Sequence, residues 1–338
     1  MGAAIQAQCR VDPNPVDLLV GAGTGRSTLS VAGSLRVGRG PAGPRVWARA
    51  LPSPDDTDLH VVWADAQGAG WVEGLPGAEP VEMASLGARS LVATVARAEF
   101  RGASLDAPEP LRGGLAGGCG VSLAARPGAV LAAGFRGTPG CTAGAPQVQR
   151  VDAEGSGIQP ATALPFDAET TVRAMFARWD FGRFVVRATT SAGDEPLSWI
   201  LDPDGEVLST ATGEVACAAS GCVRVTVSAG DTGAEGQGML RVEPLQHGEA
   251  WDTGVRAQDV SGVAVSGDRL LVLSASSHGA VGCSLTVLHL GRRSVLLEHH
   301  DDALSCDPGR VLATARGFVL AEQEAGRAAR LRTLACEG

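Results

Sequence analysis

The sequence predicts an all-β chain built from one recurring four-stranded unit. Three observations carry that expectation. Glycine is abundant, at 46 of 338 residues, and the glycines break the chain into short apolar stretches instead of long helix-forming runs. One pattern, an apolar strand, a Gly- or acid-rich turn and a second apolar strand, recurs from end to end. The eight cysteines are scattered and form no CxxC pair, which argues for disulfides and against a zinc ribbon.

The copies of the pattern run in order. They read LLVGA…TLSV from Leu18, HVVWAD…WVEGL from His60, AVLAAG…QVQRV from Ala129 and RFVVRA…LSWIL from Arg183. CVRVTV…MLRVE from Cys222, RLLVLS…SLTVLH from Arg269 and GFVLA…ARLRTL from Gly317 complete the series. The stretch Ser90–Phe100 is a candidate for a degenerate further copy in the widest gap. Flanking strands repeat as well. Gly262–Asp268 precedes one hairpin and Arg293–His299 follows it; Thr171–Asp180 and Gly205–Ala211 flank another. Each unit therefore holds four strands. Runs such as RLLVLS lack strict alternation, which fits strands covered on both faces.

A four-stranded unit of roughly forty residues, repeated around a chain of this length, resembles a β-propeller blade. The resemblance is one of architecture and covers essentially the whole of 1–338 as a single domain. It implies about seven blades, eight if the Ser90–Phe100 copy adds one, six at the lower bound. A pair of β-sandwich domains is the architectural alternative. No named repeat family fits. Trp179-Asp180 and Trp251-Asp252 lack the Gly-His partner and the strand position of WD40 repeats. The absence of Tyr removes the kelch pattern and the sialidase-type nucleophile. Propeller resemblance also implies closure of the last unit by the N-terminal strand Ala4–Asp12, which removes an open sheet edge and brings Cys9 near Cys336. Proximity along the repeats suggests Cys217 with Cys222, Cys283 with Cys306, and Cys119 with Cys141. Disulfides place the chain outside the cytoplasm, in an extracellular, cell-surface or periplasmic setting. The start, Met1–Gln8, has no signal-peptide pattern, so the expectation is a mature chain.

Composition excludes several classes. A net charge of -9, with no basic stripe, argues against a nucleic-acid partner. No apolar run reaches the ~20 residues of a membrane span. Lys is absent and Asn occurs once, at Asn14, a bias that fits a GC-rich genome. Gly21–Thr28 looks at first like a phosphate loop. The spacing is one residue short, Arg26 replaces Lys, and a strand follows where a helix is required. It reads as a hairpin turn.

The remaining candidates for chemistry are few. Asp202–Gly205 has two positions of a calcium loop but reads as a type I turn. Ser53–Asp58 holds three carboxylates in six residues and reads as an acidic loop. Glu298–Asp302 is the densest ligand cluster; His299, His300 and Asp302 form a divalent-metal set if the loop curls, since an extended chain would point neighbours to opposite faces. No cofactor is expected apart from such a metal. Trp47, Trp63, Trp71, Trp199 and Trp251 are binding anchors if exposed, and core residues otherwise. The functional expectation is a monomeric binding scaffold for a protein or glycan partner on a loop face. The alternative is a propeller enzyme, a hydrolase or lyase, with a metal or acid–base site in its channel.

Overall fold

The computed structural model describes residues 8–17, 19–20, 27–28, 35–40, 43–50, 60–65, 68–72, 80–86, 89–94, 101–104, 107–110, 118–137, 144–152, 159–167, 170–191, 195–228, 238–275, 282–301, 304–322 and 330–337. Among these the regular structure is all strand, apart from one helical turn at Pro308–Arg310. The chain divides into two compact units, Leu19–Gly213 and Met1–Leu18 with Glu214–Gly338.

The first unit holds four blades. Blade I is Arg36–Gly40, Gly43–Ala50, His60–Asp65 and Gly68–Val72; blade II is Pro80–Leu86, Arg89–Thr94, Arg101–Ser104 and Ala107–Pro110. Blade III is Gly118–Arg126, Ala129–Gly137, Gly144–Asp152 and the two-residue Thr162–Ala163. Blade IV is Val172–Asp180, Arg183–Thr190, Leu197–Leu201 and Val207–Thr212. Between blades III and IV the backbone pairs through a single bridge, Gly144 to Val172, and the two are otherwise separate antiparallel meanders. The second unit holds three. Blade V is Glu214–Ala218, Gly221–Ser228, Gly238–Pro244 and Trp251–Ala257; blade VI is Gly262–Ser266, Arg269–Ala275, Cys283–His289 and Ser294–Asp301. Blade VII is Val311–Thr314, Gly317–Glu322, Arg330–Cys336 and, as its fourth strand, Cys9–Val11 from the other end of the chain.

Within each unit the first strands of successive blades run beside one another, from I to IV and from V to VII. First strands are thus innermost and fourth strands outermost, as in a propeller. The burial pattern has the same origin. In the second strand of blade VI, Leu270 and Val272 join one core with blade V, while Leu271 and Leu273 join another with blade VII. A strand with a core on each face must be apolar at every position, which is why RLLVLS shows no alternation. In the first unit Leu131, Ala133 and Phe135 of blade III pack with Phe184, Val186 and Trp199 of blade IV.

Seven blades are therefore present, with one exchange of membership. The copy read from Leu18 is not a blade. It is a hairpin of two-residue strands, Leu19–Val20 and Ser27–Thr28; its turn, with Arg26, lies outside the described residues. The stretch near Ser90–Phe100 belongs to a true blade, since Arg89–Thr94 is the second strand of blade II. Short apolar runs flanked by glycine look alike in sequence whether they build a sheet or a lone hairpin.

The terminal pairing occurs as expected. Cys9 faces Cys336 in register, and the two form a disulfide. Cys217–Cys222 and Cys283–Cys306 are also bridged. Cys141 lies outside the described residues, so the Cys119–Cys141 pairing is not described.

Gly317 opens the second strand of blade VII at φ +142°, and a Cβ there would sit 2.1 Å from the Leu334 carbonyl oxygen. Gly221 has a similar φ of +124° with no atom within 4 Å of the added carbon. Gly317→Ala is expected to cost at least about 1–3 kcal/mol, more than Gly221→Ala, because backbone collision adds to the shared conformational strain. Equal shifts in urea midpoint for the two variants would contradict this.

Candidate functional site

The antiparallel order places two kinds of connection at opposite ends of each blade. The first and second strands are joined by two residues in all seven blades, as at Pro127-Gly128, Phe181-Gly182 and Gly267-Asp268. The second and third strands are joined by longer segments: 51–59, 95–100, 138–143, 191–196, 229–237, 276–282 and 323–329. Connections from one blade to the next leave from that same end. The expected acidic loop Ser53–Asp58 belongs to the first of these segments and lies outside the described residues.

At this end of blades VI and VII the second unit brings together four titratable side chains, Glu322, Arg332, Asp301 and His299. Phe318, Leu320 and Glu322 alternate along one strand and face blade VI; the first two are core, and the third ends the strand. Arg332 lies on the neighbouring strand, diagonal to Glu322. Its guanidinium meets Glu322 through Nε and Oε1 at 2.5 Å and through Nη2 and Oε2 at 2.9 Å. A third arm, Nη1, lies 3.4 Å from Asp301 Oδ2, at the end of the blade VI fourth strand. His299 Nε2 is 3.9 Å from that same oxygen, too far for a hydrogen bond. The Cys283–Cys306 disulfide pins the corner, since Cys283 is the cross-strand partner of Asp301.

Glu322 is only 4% exposed. Burial pushes its carboxyl above the usual carboxylate range and the nearby Asp301 charge adds to this, while Arg332 pulls the other way. Arg332 is already engaged by two carboxylates, which leaves it poorly placed to take an anion. Asp301 and His299 border this cluster, the Asp301 side chain mostly buried and His299 Nε2 itself out of contact with solvent.

Of the residues expected for a metal, His299 and His300 are described. Glu298 to Asp301 belong to an extended strand, in which His299 pairs with Leu285 and His300 with Ser284. The two imidazoles point to opposite faces, and His300 Nδ1 lies 3.3 Å from Ser284 Oγ. Asp302 lies outside the described residues. Strand pairing keeps the segment extended as far as Asp301. At Asp202–Gly205 the Asp202 carboxylate accepts hydrogen bonds from the backbone of Asp204 and Glu206, so it closes the turn.

The tryptophans are mostly core. Trp47 and Trp63 are each 7% exposed, and Arg45 stacks on the Trp63 ring. Trp199 is fully buried and donates from Nε1 to the Pro165 carbonyl. Trp251 packs on the blade V–VI core; the Trp71 side chain lies outside the described residues. The exposed aromatic is Phe181, at 59%, in a two-residue turn with φ +35°. A bulky aromatic next to Gly in a tight turn, a place that favours Asn or Asp, was the available signal.

Comparison with solved structures finds the same architecture at low identity. An oligogalacturonate lyase in complex with manganese aligns over 98% of this chain and 99% of its own, with TM-score 0.53 and 10% identity. Kuenenia stuttgartiensis hydrazine synthase aligns over 79% and 80%, with TM-score 0.51 and 13% identity. A Mycobacterium tuberculosis puromycin-hydrolyzing peptidase aligns over 93% of this chain but 57% of its own, with TM-score 0.51 and 12% identity. No protein-family model and no curated protein matches the chain. At such identities the likeness extends to the fold alone.

Proposed function

We propose that this β-propeller works outside the cytoplasm as a disulfide-stabilised binding scaffold. A protein or glycan partner engages the blade ends from which the long connections leave. The observation that carries this reading is that the second and third strands of all seven blades are joined by six to nine residues at this end, from which the connections between blades also leave, while the first and second strands are joined by only two residues at the other. Loops on a rigid frame are where binding residues concentrate. The disulfides support an oxidising compartment. His299 and Asp301 are the side chains of the blade VI–VII corner at that end through which the reading is tested.

The test is a glycan array and a panel of cell-envelope proteins, probed with the purified chain and with the His299→Ala/Asp301→Asn variant. Binding weakened about tenfold by the variant, with an unchanged melting temperature, supports the reading, since one lost charge-assisted contact is worth roughly that much. Equal binding by both proteins, or no binding to either panel, sinks it.

A second reading, a propeller enzyme, is favoured by the buried Glu322 with its raised proton affinity, the kind of group that serves as an acid. Glu322 lies on a second strand, away from the innermost ones. The metal form of this reading expects stoichiometric divalent metal in protein purified without a His tag. It also expects a lower melting temperature after chelation.

A further inference from the structure

The short-turn end of blades VI and VII gathers arginines that lie apart in the sequence. Arg269 opens the second strand of blade VI and stands directly across from His289, which closes the third. Side chains two apart share a face of a strand, so both lie on the side of Leu271 and Val287, which are core with blade VII. The turn at 290–293 then brings Arg292 back to His289. The Arg292 backbone N–H donates to His289 Nδ1 at 3.3 Å, which leaves the ring proton on Nε2 as a further donor. Arg293 closes the turn at φ +50°, a conformation that costs a non-glycine residue energy. From blade VII comes Arg316, exposed in the equivalent two-residue turn. It follows Thr314, whose carbonyl accepts the Ser266 hydroxyl of blade VI, so the two turns adjoin.

The cations here outnumber the anions. Among the described residues, Arg269, Arg292 and Arg316 have no ion-pair partner, and Asp268 is the acidic side chain between them. The neighbouring charges are matched: Arg293 reaches Glu249 at 4.0 Å on the blade V side, and Arg10 reaches Glu337 at 3.9 Å. Burial lowers the proton affinity of His289, the guanidiniums of Arg292 and Arg269 lower it further, and Asp268 opposes them. The ring is therefore a neutral donor in a positive field. In a chain of net charge -9, such a spot is where an anion is drawn.

The surroundings say what kind of anion. Protein interfaces centre on buried apolar side chains. The large apolar side chains exposed among the described residues are Val16, Phe181 and Leu208, and none is at this end of blades VI and VII: Val16 pairs with Leu331 at the far end of blade VII, and the other two are in blade IV. A disulfide-bonded chain of this net charge is also a poor partner for nucleic acid. A ligand rich in hydroxyls and carrying an acidic group fits a polar surface of donors.

We infer that Arg269, His289, Arg292 and Arg316 form a site for the carboxylate or sulfate groups of an acidic glycan. The guanidiniums pair with the anion, and His289 Nε2 donates to it or to a neighbouring hydroxyl. The site lies at the opposite end of the blades from the long connections, so the inference stands independently of the reading above.

Carboxymethyl-dextran, dextran sulfate and neutral dextran share one backbone and serve as probes. By biolayer interferometry at low salt, an anionic dextran is expected to bind at least about tenfold more tightly than the neutral one, with the gap closing as salt screens the charges. The better of the two assigns the site to carboxylate or to sulfate. Arg292→Ser is expected to weaken that binding about tenfold without moving the melting temperature. Arg256→Ser, which removes an exposed cation near the other end of blade V, should leave it unchanged. Bound anion should also raise the proton affinity of His289 in an NMR titration, because it offsets the two guanidiniums. No preference over neutral dextran, equal losses from the two variants, or an unmoved His289 titration overturns the inference. So does equally tight binding of a polyglutamate peptide, which would assign the site to an acidic protein segment.

Discussion

Replacing Cys9 and Cys336 by serine is expected to lower the unfolding free energy by as much as about 5 kcal/mol, the largest loss from any single cross-link in the chain. The bridge spans a sequence separation of 327 residues, so its removal frees almost the whole chain in the unfolded state. It also removes the covalent anchor of a three-residue strand, in which Cys9, Arg10 and Val11 pair with Cys336, Ala335 and Leu334. Both sulfurs lie in a buried corner with Phe318, Leu320 and Leu334, so loss of the strand opens the blade VII core to water. The control is Cys217→Ser/Cys222→Ser. That bridge spans 5 residues across a tight hairpin, for which loop entropy gives only about 2 kcal/mol. Urea titrations of the two double variants under non-reducing conditions decide the matter. Equal losses would show that loop entropy and strand anchoring do not set the stability of the terminal pairing.

Arg332→Met is expected to cost about 3–5 kcal/mol at neutral pH, because it leaves Glu322 buried without its cation. Met replaces the aliphatic bulk of Arg332 and removes the charge that meets both Glu322 and Asp301. The loss should depend on pH in a defined direction. Glu322 already holds its proton more tightly in the folded protein than a free carboxyl does, and without Arg332 it holds it more tightly still. A group with raised folded affinity binds more protons when folded, so stability falls as pH rises from the ordinary carboxylate range through the raised value. The penalty is therefore smallest in acid and full above that window. Arg332→Met/Glu322→Leu should recover most of it. Glu243 supplies the opposite sign: the guanidiniums of Arg224 and Arg241 hold its carboxyl below the usual range. Its contribution is present above that range and is lost as pH falls through the lowered value. An Arg332→Met penalty that is constant between mild acid and neutral pH would exclude Glu322 as its source.

Much of the fold was legible because each blade repeats one local pattern. Alternation is lost in RLLVLS and kept in the fourth strand of blade V, Trp251–Ala257, and that difference tells strands covered on both faces from those at the outer edge. The disulfides Cys9–Cys336 and Cys217–Cys222 join cross-strand partners, so register carries the cysteines with it, whereas Cys306 lies in the connection after the strand that pairs with Cys283. The candidate site was less legible. The Glu298–Asp302 cluster was visible, but its chemistry turned on whether the segment curls. Strand pairing with Cys283–His289 sends His299 towards Asp301 and His300 towards Ser284. Arg332 and Glu322 gave no local signal at all. Each is an ordinary charged residue near a strand end, and they become a buried cluster only where blade VII packs on blade VI.

What the sequence by itself determined is local: strand existence, the repeat, the hairpin turns and the pairing of cysteines that strand register aligns. These depend on short-range chemistry, namely glycine at turns, β-branched and apolar residues in strands, and a period set by the pleat. Only the tertiary structure decided which short hairpin was a blade, which tryptophans were core, and which charged residues meet. Those outcomes rest on which faces are covered and by what, and a linear pattern carries no record of that.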